Sequence, residues 1–185
     1  MQKRTFLVIA TLTVLASLVW MVVTPIYFPG VQAGTAQAAH KGFQAPDFTL
    51  LTPEGQPVTL SDYTGQPVLV FLWASWCTVC KATMPGLEPV YQAYAPQGFE
   101  ILAINMTAQD TASAAINYFQ GQNYSFPMLM DPDGAVARQY QMYAVPTSIL
   151  VGPDGIVQDV VIGAGMNAGE LQAWLDDVLT SGEGE

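Results

Sequence analysis

The 185-residue chain is poor in groups that bind polyanions or metals, with five Lys and Arg, one His and two Cys against fifteen Asp and Glu, for a net charge of −10. Two of the five cations, Lys3 and Arg4, precede a hydrophobic run, and beyond residue 24 only Lys41, Lys81 and Arg138 remain. So acidic a domain repels phosphate backbones, which argues against a nucleic-acid partner. A structural zinc ion normally takes four ligands, more than one such chain supplies, so no metal is expected unless a second chain contributes.

The two cysteines, Cys77 and Cys80, are separated by Thr78 and Val79. A disulfide between them closes a very short loop and removes little entropy from the unfolded chain, so as a staple it would do little. The pair therefore reads as a dithiol that opens and closes, needing no cofactor beyond its own disulfide.

Residues 6–23, FLVIATLTVLASLVWMVV, are apolar and uncharged over the length needed to cross the hydrocarbon core as a helix. Lys3 and Arg4 stand before this run and no cation follows until Lys41, so the positive-inside rule leaves the N-terminus in the cytoplasm and exports the rest. Ala36-Gln37-Ala38 has the small-x-small pattern of a signal-peptidase site, and cleavage near Ala38 would instead release a secreted domain. The apolar run is long for a signal and distant from that site, so an uncleaved anchor is preferred. The expected division is an N-terminal signal anchor and transmembrane helix (1–24), a flexible tether (25–41), one domain (42–180) and an acidic tail (181–185). His40 falls in the tether, where nothing nearby in sequence would orient it, so it receives no role.

Within the domain, DFTLL (47–51) and PVTL (57–60) flank a turn and suggest a hairpin. PVLVFLW (67–73) and EILAIN (100–105) are apolar enough to be strands buried on both faces. A helix is expected from about Cys77 to 95, another over 111–121 closed by Gly121, a short strand at SFPMLMD, a short helix in PDGAVARQYQ, and a hairpin of PTSILV (146–151) and IVQDVVI (156–162). GAGMNAG (163–169) lacks the spacing and the following strand of a dinucleotide site, and reads as a turn that caps a last helix (167–179) from Asn167. The order β-β-β-α-β-α-β-α-β-β-α implies an α/β domain with a mixed sheet covered by helices. Cys77 then lies where a strand gives way to a helix, whose N-terminus favours a thiolate, and Cys80 lies one turn inside.

The combination of WASWCxxC, Pro85 five residues after the second cysteine, and AVPTSILVGPDG far downstream resembles the thioredoxin superfamily. The opening APDF and the early hairpin are most similar to its membrane-anchored TlpA/ResA-like branch, grouped with the AhpC/TSA redoxins. That resemblance implies a thioredoxin-like fold with an inserted β-α unit around FEILAINMTAQD. It further implies Cys77 as nucleophile, Cys80 as resolving thiol, and Pro146 in cis facing the site. Trp76, Val145 and Thr147 would stand beside them as substrate-contacting positions. The implied activity is reduction of disulfides in exported proteins, apocytochromes c among them, with electrons from a membrane thiol transporter (CcdA/DsbD-like).

Two positions depart from the pattern. Phe71 stands where thioredoxin has a buried aspartate, and Thr83 stands where some cytochrome-maturation members have a glutamate, so the motif supplies no carboxylate base and leaves Lys81 or water. The direction of electron flow is not legible in Thr78-Val79. A disulfide-forming oxidase is the nearest alternative. A thiol peroxidase would carry Thr or Ser and an upstream Pro where Ala74 and Val70 stand. A copper-binding module would recruit Met84, Met128 and Met130, which equally suit a core.

Overall fold

The computed structural model describes residues 37–142 and 144–181. Seven strands form one mixed sheet in the order β2-β1-β5-β4-β3-β6-β7. They are β1 (Thr49–Leu51), β2 (Pro57–Thr59), β3 (Val68–Trp73), β4 (Glu100–Asn105), β5 (Met128–Met130), β6 (Thr147–Val151) and β7 (Val157–Ile162). The helices are α1 (Thr78–Tyr94), α2 (Ala112–Gln122), α3 (Ala135–Gln139) and α4 (Ala168–Ser181).

Strand β3 is the centre of the design. All six of its residues are buried, and it pairs parallel with β4 and antiparallel with β6. Side chains alternate across a strand, so the run VLVFLW splits into two sets. Leu69, Phe71 and Trp73 pack in one cluster with Met84, Leu87 and Val90 of α1, Ala115 and Phe119 of α2, and Leu171 and Leu175 of α4. Val68, Val70 and Leu72 join the opposite cluster with Phe48, Leu60, Val136 and Tyr140. A strand that feeds two cores must be apolar throughout, which is why its sequence shows no alternation.

The expected hairpin of β1 and β2 is present, with Thr49 opposite Thr59, and Leu51 carries it onto β5 opposite Met130. Asn167 caps α4: its Oδ1 accepts from the backbone N–H groups of Gly169 (3.0 Å) and Glu170 (3.1 Å), and its own N–H donates to the Glu170 carboxylate at 3.2 Å. Two helix ends differ from expectation. Helix α4 continues to Ser181 rather than ending at 179. Helix α2 runs through Gly121 to Gln122 and closes at Asn123, which adopts the left-handed conformation (φ 56°, ψ 41°). Asparagine tolerates that region well enough to do a glycine's work at a helix end.

Of the stretch read as a tether, residues 37–41 are described and lie against the sheet. Ala39 is buried, Gly42 N–H donates to Val157 O at 2.8 Å, and Val157 N–H returns a bond to Phe43 O at 2.9 Å. The segment continues over the β6–β7 turn, where Ala45 N–H donates to Gly155 O at 2.9 Å. A side chain on Gly155 (φ +77°) would collide with the Gln44 amide. Among the described residues no helix is long and apolar enough to cross a membrane. The run 6–23, the rest of the expected tether and residues 182–185 lie outside the described residues.

Candidate active site

The parallel pairing of β3 with β4 sets the floor of the site, and the two cysteines follow directly from the end of β3. Cys77 is the N-cap of α1, in extended conformation (φ −80°, ψ 105°), and its Sγ accepts the backbone N–H of Cys80 at 3.0 Å. The two sulfurs form a disulfide (S–S 2.12 Å, Cα–Cα 5.2 Å). Cys77 keeps 5 % of its surface exposed and Cys80 none. The less buried of the two cysteines is the one whose sulfur receives a helix N-terminal donor, an arrangement that favours a thiolate at Cys77.

The loop into the helix is held from one side by residues 105–111. Trp73 O accepts Met106 N–H at 2.9 Å, and Trp76 Nε1 donates to Gln109 O at 2.9 Å. Between these, the Asp110 carboxylate accepts from Ser75 N–H (2.5 Å), Ser75 Oγ (2.6 Å), Asn105 Nδ2 (2.8 Å) and Thr111 N–H (2.7 Å). Partial burial pushes the Asp110 carboxyl upward, but these four donors together outweigh it and hold it below the ordinary aspartate range. Trp76 presents its ring outward with 58 % of its surface exposed, and Val79 beside it is 42 % exposed.

From the other side comes the segment before β6. The Val145–Pro146 peptide is cis. Thr147 lies opposite Leu72 in the antiparallel β3–β6 register, which puts Pro146 at the cysteine end of the sheet. Pro146 O accepts Gly163 N–H at 2.7 Å, and the buried Thr147 hydroxyl donates to Ala144 O at 2.7 Å. Half-buried Val145 packs against both core clusters.

Phe71 is fully buried in the cluster that holds both cysteines, so the sheet offers them no acid there. Thr83 turns its hydroxyl back to Val79 O at 3.0 Å within α1, and the Lys81 ammonium sits 4.9 Å from the centroid of the Tyr118 ring. Met84 on α1 and Met128 on β5 are core residues of the cluster that also holds both cysteines, with Met130 packed against it. Sequence reading missed Ser75, Asn105 and Asp110. The only signal was an acidic residue just before a helix, and 35 positions separate it from Ser75, so the β3–β4 register alone brings them together.

The AhpC/TSA family model matches residues 42–160. The chain belongs to the AhpC/TSA family. Among its relatives, the thioredoxin-like protein YneN of Bacillus subtilis (strain 168) is 33 % identical over 137 residues, 74 % of this chain and 79 % of the relative. The thiol-disulfide oxidoreductase ResA of Geobacillus kaustophilus (strain HTA426) is 30 % identical over 178 residues, 96 % of this chain and 99 % of the relative. A crystal structure from Chlorobium tepidum, described as a thiol:disulfide interchange protein DsbE, superposes with a TM-score of 0.65 at 31 % identity over 76 % of this chain and 96 % of that one. With a thioredoxin-like fold, a Cys77–Cys80 disulfide and relatives of this kind, this AhpC/TSA member is a thiol-disulfide oxidoreductase.

Proposed function

We propose that the protein reduces disulfides in exported proteins, the haem-binding cysteines of apocytochromes c among them, from a position on the outer side of the cell membrane. The observation that carries the exchange chemistry is the asymmetry of the pair: a slightly exposed Cys77 capping α1 and a fully buried Cys80 one turn inside. The Cys77 thiolate attacks one sulfur of a substrate disulfide, forming a mixed disulfide and releasing the other sulfur as a thiolate. Cys80 then loses its proton and attacks Cys77 Sγ. The intramolecular disulfide forms, the substrate leaves as a dithiol, and two electrons have passed with two protons. Exposed Trp76 and Val79 offer an apolar landing surface, and the backbone of Val145 before cis-Pro146 offers polar groups to an extended segment. The export reading is supported by Lys3 and Arg4 before the apolar run 6–23, and it assigns re-reduction to a membrane thiol-electron transporter (CcdA/DsbD-like).

Disulfide donation is the second reading, favoured by the Cys80 N–H on Cys77 Sγ, because a stabilised thiolate stabilises the reduced form. The deciding measurement is the reduction potential of the full-length protein in detergent, equilibrated with graded thiol-disulfide buffers. A value near that of thioredoxin, about −270 mV, supports the reductase, and one near about −120 mV the donor. The Cys80→Ser variant is expected to accumulate mixed disulfides with substrate through Cys77. If no reversible Cys77–Cys80 couple forms, both readings fall.

A further inference from the structure

The carboxylate beside the active-site loop has no place in the exchange steps above, and its surroundings are unusual for a residue that only ties two loops together. Asp110 follows a short 3-10 turn (Thr107–Gln109) in extended conformation (φ −133°, ψ 166°). It gathers two bonds from Ser75, one from the buried Asn105 and one from Thr111, all of them neutral donors. Charge-assisted hydrogen bonds of this length are strong, and here they fasten the residue two positions before Cys77. Neighbouring ties at Trp73 and Trp76 fasten the rest of the loop to the same segment.

Among the described residues, the hydrogen bonds to the carboxylate all come from neutral groups, and the Arg138 guanidinium, which lies near Ala108 in the same segment, donates instead to Asp133 O. Lys81 is on α1 one turn beyond Cys77, with its ammonium over Tyr118 of α2. Tyr118 is the titratable group that α2 brings to this contact, and residues 144–147 on the opposite side bring none. Two residues of extended chain span at most about 7 Å, so with the 2.5 Å bond to Ser75 N and the reach of the cysteine side chain the carboxylate lies within about 13 Å of the Cys77 sulfur. A fixed negative charge at that range opposes a thiolate, and so works against the helix N-terminus that favours it. Opposing the thiolate disfavours the reduced form and makes the couple a better electron donor.

We propose that Asp110 is a positioning residue of this oxidoreductase, whose carboxylate clamps the Ser75-Trp76 loop and biases the Cys77–Cys80 couple toward electron donation. The proposal rests on the exchange chemistry assigned to the two cysteines.

The test uses the reduced full-length protein in detergent. It compares wild type with Asp110→Asn, Asp110→Glu and Ser75→Ala, and follows the Cys77 thiol pKa (from the pH dependence of iodoacetamide alkylation), the reduction potential and the melting temperature. At an effective dielectric of about 20, after salt screening, the lost charge shifts the thiol by up to about half a unit. Asp110→Asn is therefore expected to lower the Cys77 pKa by up to about half a unit, about a threefold gain in thiolate. The potential should rise by up to about 15 mV, half of one tenfold step in a two-electron couple. Asp110→Glu should retain the wild-type pKa and potential, and Ser75→Ala should lower the melting temperature while leaving both in place. Should Asn crowd the Ser75 N–H and unfold the loop, Asp110→Ser removes the charge with a smaller neutral acceptor. Loss of melting temperature with an unchanged thiol pKa and potential in the neutral variants overturns the proposal and leaves Asp110 a structural tie. A wild type with no reversible couple overturns the exchange reading itself, which the same titration shows separately.

Discussion

Ser148 offers a substitution that should stabilise the protein by removing a polar atom. It lies on β6 opposite Phe71, and it alternates onto the same face as Leu150, within the cluster packed under α1. The residue is fully buried and its hydroxyl has no hydrogen-bond partner among the described residues. A buried hydroxyl left unpaired costs about 1–3 kcal/mol, whereas an apolar group of the same shape does not. Ser148→Ala deletes that oxygen and leaves a void of about 20 Å³, which at about 24 cal/mol per Å³ returns about 0.5 kcal/mol. The expected net gain is about 0.5–2 kcal/mol. For a domain of roughly 145 residues, the unfolding entropy is about 0.3 kcal/mol/K, so the melting temperature should rise by about 2–7 °C. Guanidinium unfolding of the oxidised protein should show the same gain as a higher midpoint at constant slope. Ser148→Val, which adds volume as well, should fall below Ser148→Ala because a full core resists extra methyl groups. A loss of about 1 kcal/mol or more in Ser148→Ala would refute the reasoning, since it would mean that the hydroxyl is satisfied in the folded protein.

Two further outcomes can be checked with ordinary variants. Trp76→Ala removes a ring that is mostly in solvent together with its bond to Gln109 O, so the melting temperature should fall by only about 2–4 °C, while kcat/KM for protein disulfides should fall about thirtyfold, the loss expected of a docking residue worth about 2 kcal/mol. A small-molecule disulfide should react at nearly the wild-type rate, and an equal loss on both substrates would contradict the docking role. Glu100 gives a pH signature: burial pushes its carboxyl up, against the bonds from Ile101 N–H and Tyr91. A folded value above the unfolded one means stability that is complete below the ordinary glutamate range and lost as pH rises through the folded value. Glu100→Gln should abolish that decline and be the more stable protein at neutral pH, as read from unfolding midpoints between about pH 4 and 7.

The expected succession of strands and helices was legible because β3 is an uninterrupted apolar run, β4 and β6 each carry an apolar stretch, and the turns between elements carry glycine, proline or asparagine. Periodicity speaks only of neighbours a few residues apart, so the sheet order, with β5 between β1 and β4, was not. The same limit explains the site. Cys77 and Cys80 are close in sequence and Pro146 belongs to a recognisable segment, so all three could be named. Ser75, Asn105 and Asp110 are unremarkable one at a time and meet only through the pairing of β3 with β4. Gly121 was the obvious helix stop, yet the helix runs one residue further and Asn123 closes it in the left-handed conformation that asparagine tolerates.

The leading segment 37–45 carries a consequence for how the enzyme can be handled. It is bonded to the start of β7, at Val157, and to the turn at Gly155, whereas the other end of β7, at Ile162, lies beside Thr147 and the cis proline. Six strand residues put about 17–20 Å between those ends. A support attached directly to residues 37–45 therefore meets the domain at the pole opposite its disulfide. The disulfide face is then left uncovered, so coupling a resin or an electrode through this segment should leave turnover on large protein substrates intact, whereas attachment near Trp76 would block it.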